Sequence, residues 1–209
     1  MGVAERRARE KEELRQRILD AAAELFIQEG FDNVSIRKIA DKIEYSPTTI
    51  YLHFKDKAEL IGSICYEVFD GLRRKLEETA ALGLPHLEML RQSLRAYIEF
   101  GLENPNHYIV LFCLPEPVEL AGNRAEGDVV AMKPGAVCFD KLRQGIAQCM
   151  GAGLIRRDDI ESVSQSTYMM IHGVTSALLT MKSFPWLERN ALIDASLGRI
   201  LRGLGAVVD

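Results

Sequence analysis

The chain has 209 residues, room for one medium domain or a small one joined to a larger. Hydrophobic residues make up 47% of it, which provides for a buried core and excludes a disordered chain. Its formal net charge of -4 counts mildly against nucleic acid as a partner, but binding depends on local charge rather than on the sum.

The basic residues are clustered. Arg6, Arg7, Arg9, Lys11, Arg15 and Arg17 crowd one end, and Arg37, Lys38, Lys42, Lys55 and Lys57 crowd a second segment, whereas the acids are spread more evenly. The N-terminus is charged through Arg17 with no apolar run behind it, unlike a secretion signal. No apolar stretch reaches the roughly 20 residues of a spanning helix. The expectation is a soluble, cytoplasmic protein. Cys65, Cys113, Cys138 and Cys149 are scattered, without a C-x-x-C pair or a histidine cluster, and read as reduced, mostly buried thiols rather than zinc ligands. No metal or cofactor is expected.

In chain order, the spacing of apolar residues predicts helices throughout. The first runs from about Arg9 to Gln28, with Leu14, Ile18, Ala21, Ala22, Leu25 and Phe26 inward and Gly30 as its stop. Ser35 caps a second helix carrying Ile36, Ile39, Ala40 and Ile43. Ser46 caps a third, with Pro47 at its first position, where a missing N–H costs nothing. Asp56 and Glu59 form a capping-box-like start to a fourth, which runs to about Ala80. Gly83 and Pro85 mark a break, followed by helices over about 86–103 and 105–114. Pro, Gly and Asn make 115–127 a loop. Helix resumes over about 128–150, with a kink or break expected at Pro134-Gly135. Helices over about 158–182 and 187–205 close the chain, separated by Phe184-Pro185.

Residues 34–60, VSIRKIADKIEYSPTTIYLHFKDKAEL, hold the functional signal. Two short helices meet at a turn over Ile43 to Tyr45. The second presents Ser46, Thr48, Thr49, Tyr51 and His53 outward and turns Ile50 and Phe54 inward. A helix that reads the major groove needs such short polar side chains near its N-terminus, and Thr48 and Thr49 can both hydrogen-bond base edges and touch thymine methyls. Ser35, Arg37, Pro47 and Lys55 flank the same surface, and Lys57 can reach a phosphate. Tyr45 has two roles open to it: contact with DNA or packing on the first helix. Periodicity alone leaves a second reading, three ordinary helices of a bundle.

Residues 13–73 resemble the DNA-binding domain of the TetR family of regulators. The matching stretches are ILDAAAELFIQEGFDNVSIRKIA and SPTTIYLHFKDKAEL, with Tyr51, Phe54, Lys57 and Leu60 at the family's Y-x-x-F-x-x-K-x-x-L spacing. YIEFGLENPNHYIVLF (97–112) and IHGVTSALL (171–179) resemble one of the family's ligand-domain subtypes more weakly. Glu44 departs from the pattern. It stands where the family's turn usually carries glycine, and a left-handed backbone there is strained for any other residue.

The resemblance implies an all-α chain: a three-helix helix-turn-helix domain over 1–54, joined by a long fourth helix to a helical effector-binding and dimerisation domain over 55–209. It implies a homodimer through the last two helices, and the consecutive Met169, Met170 and Ile171 fit a helix that is apolar on more than one face. Two recognition helices would then lie about 34–36 Å apart, or somewhat more, on a double-stranded pseudo-palindromic operator.

The resemblance also implies a pocket for a small effector that releases the DNA. Candidates to line it are Tyr66, Phe69, Tyr97, Phe100, Tyr108, Phe112, Phe139, Tyr168, Met169 and His172, though aromatics and methionines at helical spacing are more often plain core. The effector is expected to be lipophilic or aromatic. Arg6, Arg7 and Arg9 fit either a minor-groove arm or a solvated helical extension paired with Glu10, Glu12 and Glu13. Catalysis is not expected, because no nucleophile elbow, phosphate loop or H-E-x-x-H motif occurs and no Glu-x-x-His pair starts at Glu88 or Glu103. A helical sensor without specific DNA binding is the alternative.

Overall fold

The computed structural model describes residues 2–114 and 128–206, with side chains from 135 onward in the second stretch. Every regular element among the described residues is helical: α1 (Val3–Glu29), α2 (Ile36–Lys42), α3 (Pro47–Tyr51), α4 (Lys57–Ala80), α5 (His86–Glu103), α6 (Pro105–Cys113), α7 (Asp128–Gly151), α8 (Ile160–Thr180) and α9 (Arg189–Gly203). The loop expected over 115–127 lies outside the described residues.

Two of these helices differ from the expectation. α1 starts six residues early. Glu5 accepts a hydrogen bond from the Gly2 N–H at 2.8 Å, and the pairs Arg6–Glu10 and Arg9–Glu13 lie at i, i+4 spacing, each 3.5 Å apart. The N-terminal arginines thus lie on a solvated helical extension of α1. α7 runs unbroken through Pro134-Gly135. A Cβ on Gly135 would stand 2.9 Å from the Phe69 ring, so glycine here serves close packing rather than a helix break.

The chain divides into two compact units, Met1–Val68 with Asn106–Met132, and Phe69–Pro105 with Lys133–Asp209. In the first, α1 packs on α2 and α2 on α3. Its core is built from Ile18, Leu19, Phe26, Ile39, Ile50, Phe54, Leu60 and Ile64, all at most 1% exposed. The α6 part of this unit buries Tyr108, whose ring lies 4.7 Å from that of Phe112. His107 sits on α6 with Nε2 3.3 Å from Asp20 Oδ1, yet that nitrogen makes no hydrogen bond, and burial lowers the imidazole's pKa.

In the second unit, α5 packs against α8 and α9. Arg91 and Arg95 of α5 both reach Asp194 of α9, the first at 3.2 Å. Cys149 of α7 donates to the His86 carbonyl at 3.4 Å, and the Arg156 N–H donates to the Leu204 carbonyl at 2.9 Å, which ties the loop after α7 to the end of α9. Trp186 donates its indole N–H to the Met181 carbonyl at 3.1 Å and packs on Phe184.

Candidate functional site

The turn between α2 and α3 is built from local rules. The Ser35 hydroxyl accepts from the Lys38 N–H at 3.2 Å and so caps α2. At the far end of α2, the Tyr45 N–H donates to the Ala40 carbonyl at 3.0 Å and the Glu44 N–H to the Asp41 carbonyl at 3.2 Å. This is the hydrogen-bond pattern of a Schellman turn, and it requires a left-handed residue at position 44. Glu44 supplies it with φ of 62°, where glycine would sit at no steric cost. The hydrogen bonds hold the turn in shape at a backbone cost of about 1 kcal/mol. The Ser46 hydroxyl then accepts from the Thr49 N–H at 3.2 Å to cap α3, and Pro47 occupies its first position.

This turn presents a compact outer face. Ile50 is fully buried and Phe54 is 1% exposed, which fixes the opposite side of α3 outward. Ser35, Arg37, Tyr45, Ser46, Thr48, Tyr51 and Lys55 are exposed, and Pro47, Thr49 and His53 are half-buried. The Thr49 hydroxyl lies 2.9 Å from that of Ser46, so one of the two expected readers is already engaged in the cap, and Thr48 stands freer.

Sequence reasoning passed over Leu52, which is 76% exposed beside Tyr51 at 57%. It lies between the inward positions 50 and 54, and that alternation was the available signal. An apolar side chain so placed suits a thymine methyl.

The cations around the turn are largely committed to holding it. The Arg17 guanidinium lies 5.4 Å from the Tyr45 ring and donates to the Ile43 carbonyl at 3.5 Å, so Tyr45 packs on α1 while keeping an exposed edge. Arg15 covers the Phe54 ring at 4.6 Å and pairs with Glu67 at 3.8 Å. Burial, aided by Lys11 and Arg15, lowers the pKa of His53 and favours its neutral form.

Lys57 differs from its expected role. Its ammonium donates to the Phe31 carbonyl at 2.6 Å and the Val34 carbonyl at 3.0 Å, and lies 4.0 Å from the centre of the Phe31 ring. Desolvation lowers its pKa. The side chain fastens the α1–α2 connection to the start of α4, leaving little of the ammonium for a phosphate. At that start, the Glu59 N–H donates to Asp56 Oδ1 at 2.9 Å and the Glu59 carboxylate accepts from the Lys55 N–H at 2.6 Å.

A cavity of about 210 Å³ lies in the second unit. Leu72, Leu76 and Ala80 of α4, Met89, Leu90, Ser93, Leu94 and Tyr97 of α5, Cys138, Phe139, Lys141, Leu142, Gln144, Gly145 and Gln148 of α7, and Tyr168 and Ile171 of α8 line it. Of the ten expected residues, Tyr97, Phe139 and Tyr168 are on this wall. The Tyr168 ring stands edge-on to Tyr97 at 5.9 Å and to Phe139 at 6.3 Å. His172 is one layer away, stacked on Tyr168 at 5.8 Å with Nδ1 3.4 Å from the Tyr97 hydroxyl.

The other six lie elsewhere: two are exposed and four pack against other groups. Met169 is 69% exposed and Tyr66 43% exposed. Tyr108 and Phe112 pair with each other in the first unit. Phe69 packs under Gly135, and Phe100 packs against Gly71, where a Cβ would come within 2.9 Å of its ring. Sequence reasoning did not find the polar wall of Ser93, Lys141, Gln144 and Gln148, because on a helix it has the pattern of a solvated face.

α8 carries no Asp, Glu, Lys or Arg after Glu161. Its exposed positions include Ser162, Gln165, Ser166, Met169, Met170 and Gly173 at spacings of three and four. Among the described residues, no cluster of His, Cys, Asp and Glu could hold a metal ion, and no helix is long and apolar enough to cross a membrane.

Comparison with known proteins agrees with this architecture. The HTH-type transcriptional regulator AcrR of Shigella flexneri is 26% identical over 182 residues, covering 85% of this chain and 81% of AcrR. A tetR-family regulatory protein from Rhodococcus RHA1 has the same fold, with a TM-score of 0.78 and 20% identity over 93% of this chain and 98% of that one. AibR, solved in complex with isovaleryl coenzyme A and operator DNA, superposes with a TM-score of 0.74 and 20% identity over 88% of this chain and 96% of its own. Residues 18–64, which hold α2, α3 and the turn between them, match the family described as bacterial regulatory proteins, tetR family.

Proposed function

We propose that this chain is a TetR-family transcriptional regulator, a cytoplasmic repressor that binds a pseudo-palindromic operator as a homodimer and leaves it when a small lipophilic or aromatic molecule enters the cavity. Residues 1–54 read the DNA, and residues 55–209 bind the effector and dimerise. The observation that carries this reading is the outward face of α3, where Thr48, Tyr51 and Leu52 stand exposed on a helix whose other side is locked by Ile50 and Phe54. Arg37 and Lys55 flank that face, and it is thin enough to enter a major groove.

The cavity, with its mostly apolar wall and few polar groups, supports the effector half of the proposal. AibR, which shares the fold, was crystallised with both a small molecule and operator DNA. The uncharged, partly apolar stripe on α8 supports pairing with a second copy across a two-fold axis. For induction to work, the effector must favour the shape that does not bind DNA, and by linkage DNA must weaken effector binding by the same factor.

A salt-titrated mobility shift against genomic fragments tests the DNA half. A regulator shows a steep salt slope together with a specific over non-specific ratio of about 10³ or more. A ratio near one leaves a helical sensor without sequence-specific binding. Thr49→Ala is expected to relax base preference and cost about 1–3 kcal/mol. Equal loss on every sequence removes Thr49 as a reader. Sedimentation as a monomer at micromolar concentration removes the dimer.

A further inference from the structure

We propose that the cavity takes an apolar monocarboxylate, whose acid group is held by Lys141 in exchange for Glu77. This rests on the effector reading above and narrows it to one ligand chemistry. Among the described residues that line the cavity, Lys141 is the one with a charged side chain, and the wall offers no carboxylate. A cationic ligand would therefore meet a like charge with no carboxylate on the wall to receive it, and a neutral one would give Lys141 nothing in exchange for Glu77. An anion gains a charge-assisted partner in a partly desolvated setting. Gln144, Gln148 and Ser93 supply neutral donors on the same wall.

Lys141 is also released at little cost. It lies 3.5 Å from Glu77 Oε1, longer than the roughly 2.7–2.9 Å of a well-formed charge-assisted bond. Glu77 is held independently, because Arg73 Nη1 donates to its Oε2 at 2.6 Å, and Arg73 in turn pairs with Asp70 at 2.7 Å. When Lys141 turns to a ligand, the Glu77 charge stays compensated by Arg73, so the exchange leaves no orphaned ion.

The rest of the wall is set for a hydrocarbon body. Leucines of α4 and α5 face the ring cluster of Phe139 and Tyr168. An apolar cavity of about 150 Å³ accommodates one benzene, so about 210 Å³ has room for an aryl ring with a short acid arm or a medium-length acyl chain.

The test is calorimetric titration of the full chain with octanoate, decanoate and 3-phenylpropionate, against octanol, decanol and octylamine, with operator affinity measured in parallel. An acid is expected to bind about tenfold or more tightly than the alcohol of equal length, and octylamine more weakly than either. Lys141→Met should bring the acid-to-alcohol ratio close to one. Glu77→Gln removes the competing carboxylate and should tighten acid binding severalfold while leaving alcohol binding unchanged. That gain of affinity cannot come from a misfolded protein.

An acid-to-alcohol ratio that survives Lys141→Met overturns the proposal, as does an alcohol that binds as tightly as its acid. If the alcohols also bind and release the operator, the carboxylate assignment falls and the effector reading stands. If none of the six binds and operator affinity is unmoved, both fall.

Discussion

The turn that presents α3 and the cavity beneath α5 are built in opposite ways. The turn is assembled from some twenty consecutive residues, and almost every group in it answers a local requirement: a hydroxyl at each cap, a proline at a first position, a left-handed residue at 44. The cavity draws on four helices between residues 72 and 171, and no short segment specifies it. The first is densely packed and held by hydrogen bonds, while the second contains space. Interiors resist both deletion and insertion where they are full, and they tolerate insertion where they are hollow.

The largest expected effect tests how far the turn depends on its lysine. Lys57→Met should destabilise the chain by about 2–3 kcal/mol in urea unfolding, because two carbonyls lose a charged donor. If stability is unchanged and affinity for all DNA sequences falls alike, Lys57 is a phosphate ligand and the turn is less self-contained than it looks.

Overpacking compares the two regions directly. Ile50→Phe should cost about 1–3 kcal/mol, since Ile50 is fully buried in a filled core. Leu94→Phe adds a ring to the hollow wall and should cost under about 1 kcal/mol while abolishing ligand binding in calorimetry. Equal penalties would mean that the cavity closes in solution.

A smaller effect lies in the turn backbone. Glu44→Gly should raise stability by up to about 0.5 kcal/mol, the left-handed penalty less the entropy glycine loses on folding. Destabilisation would show that the Glu44 side chain contributes a contact of its own.

Last comes pH. Burial lowers the pKa of His107 against the opposing pull of Asp20 and a Leu19 backbone hydrogen bond, and burial also lowers His53 and His172. The unfolded chain therefore takes up these protons first as pH falls through about 6.5. Stability is full above that value and is lost as pH falls toward the folded-state values. Glu67, pushed up by burial, acts in the opposite sense nearer the carboxylate range. The melting temperature should be lower at pH 5.5 than at pH 7.5, and His107→Gln should flatten the difference.

This contrast also governs what could be read in advance. α5 was expected over 86–103 and is observed at His86–Glu103, because Pro85 and Asn104 punctuate it. The caps of α2 and α3 and the left-handed demand at position 44 were legible for the same reason, since each depends on neighbours within a few positions. The start of α1 was missed because its stabilising pairs look like an ordinary charged tail.

The cavity wall was legible only at its aromatic corner. Periodicity separates inside from outside, but it does not say which buried residues face one another and which face a void. Phe69 and Phe100 illustrate this: both are buried aromatics, and each fills the space left by a glycine on another stretch of chain. Gln144 and Gln148 illustrate the converse, polar residues that line a cavity.

Cys138 gives the cavity a chemical handle. Its thiol is on the wall, donates to the Phe69 carbonyl at 3.5 Å, and has its pKa pushed up to about 11 by burial. At pH 7 only about one such thiol in 10⁴ is ionised, so alkylation, which needs the thiolate, proceeds slowly. Raising the pH by two units multiplies the thiolate about a hundredfold without a change of reagent. A seated ligand would then register as a slower rate of labelling, so occupancy of the cavity can be timed with a stopwatch and a mass spectrometer in the absence of any DNA.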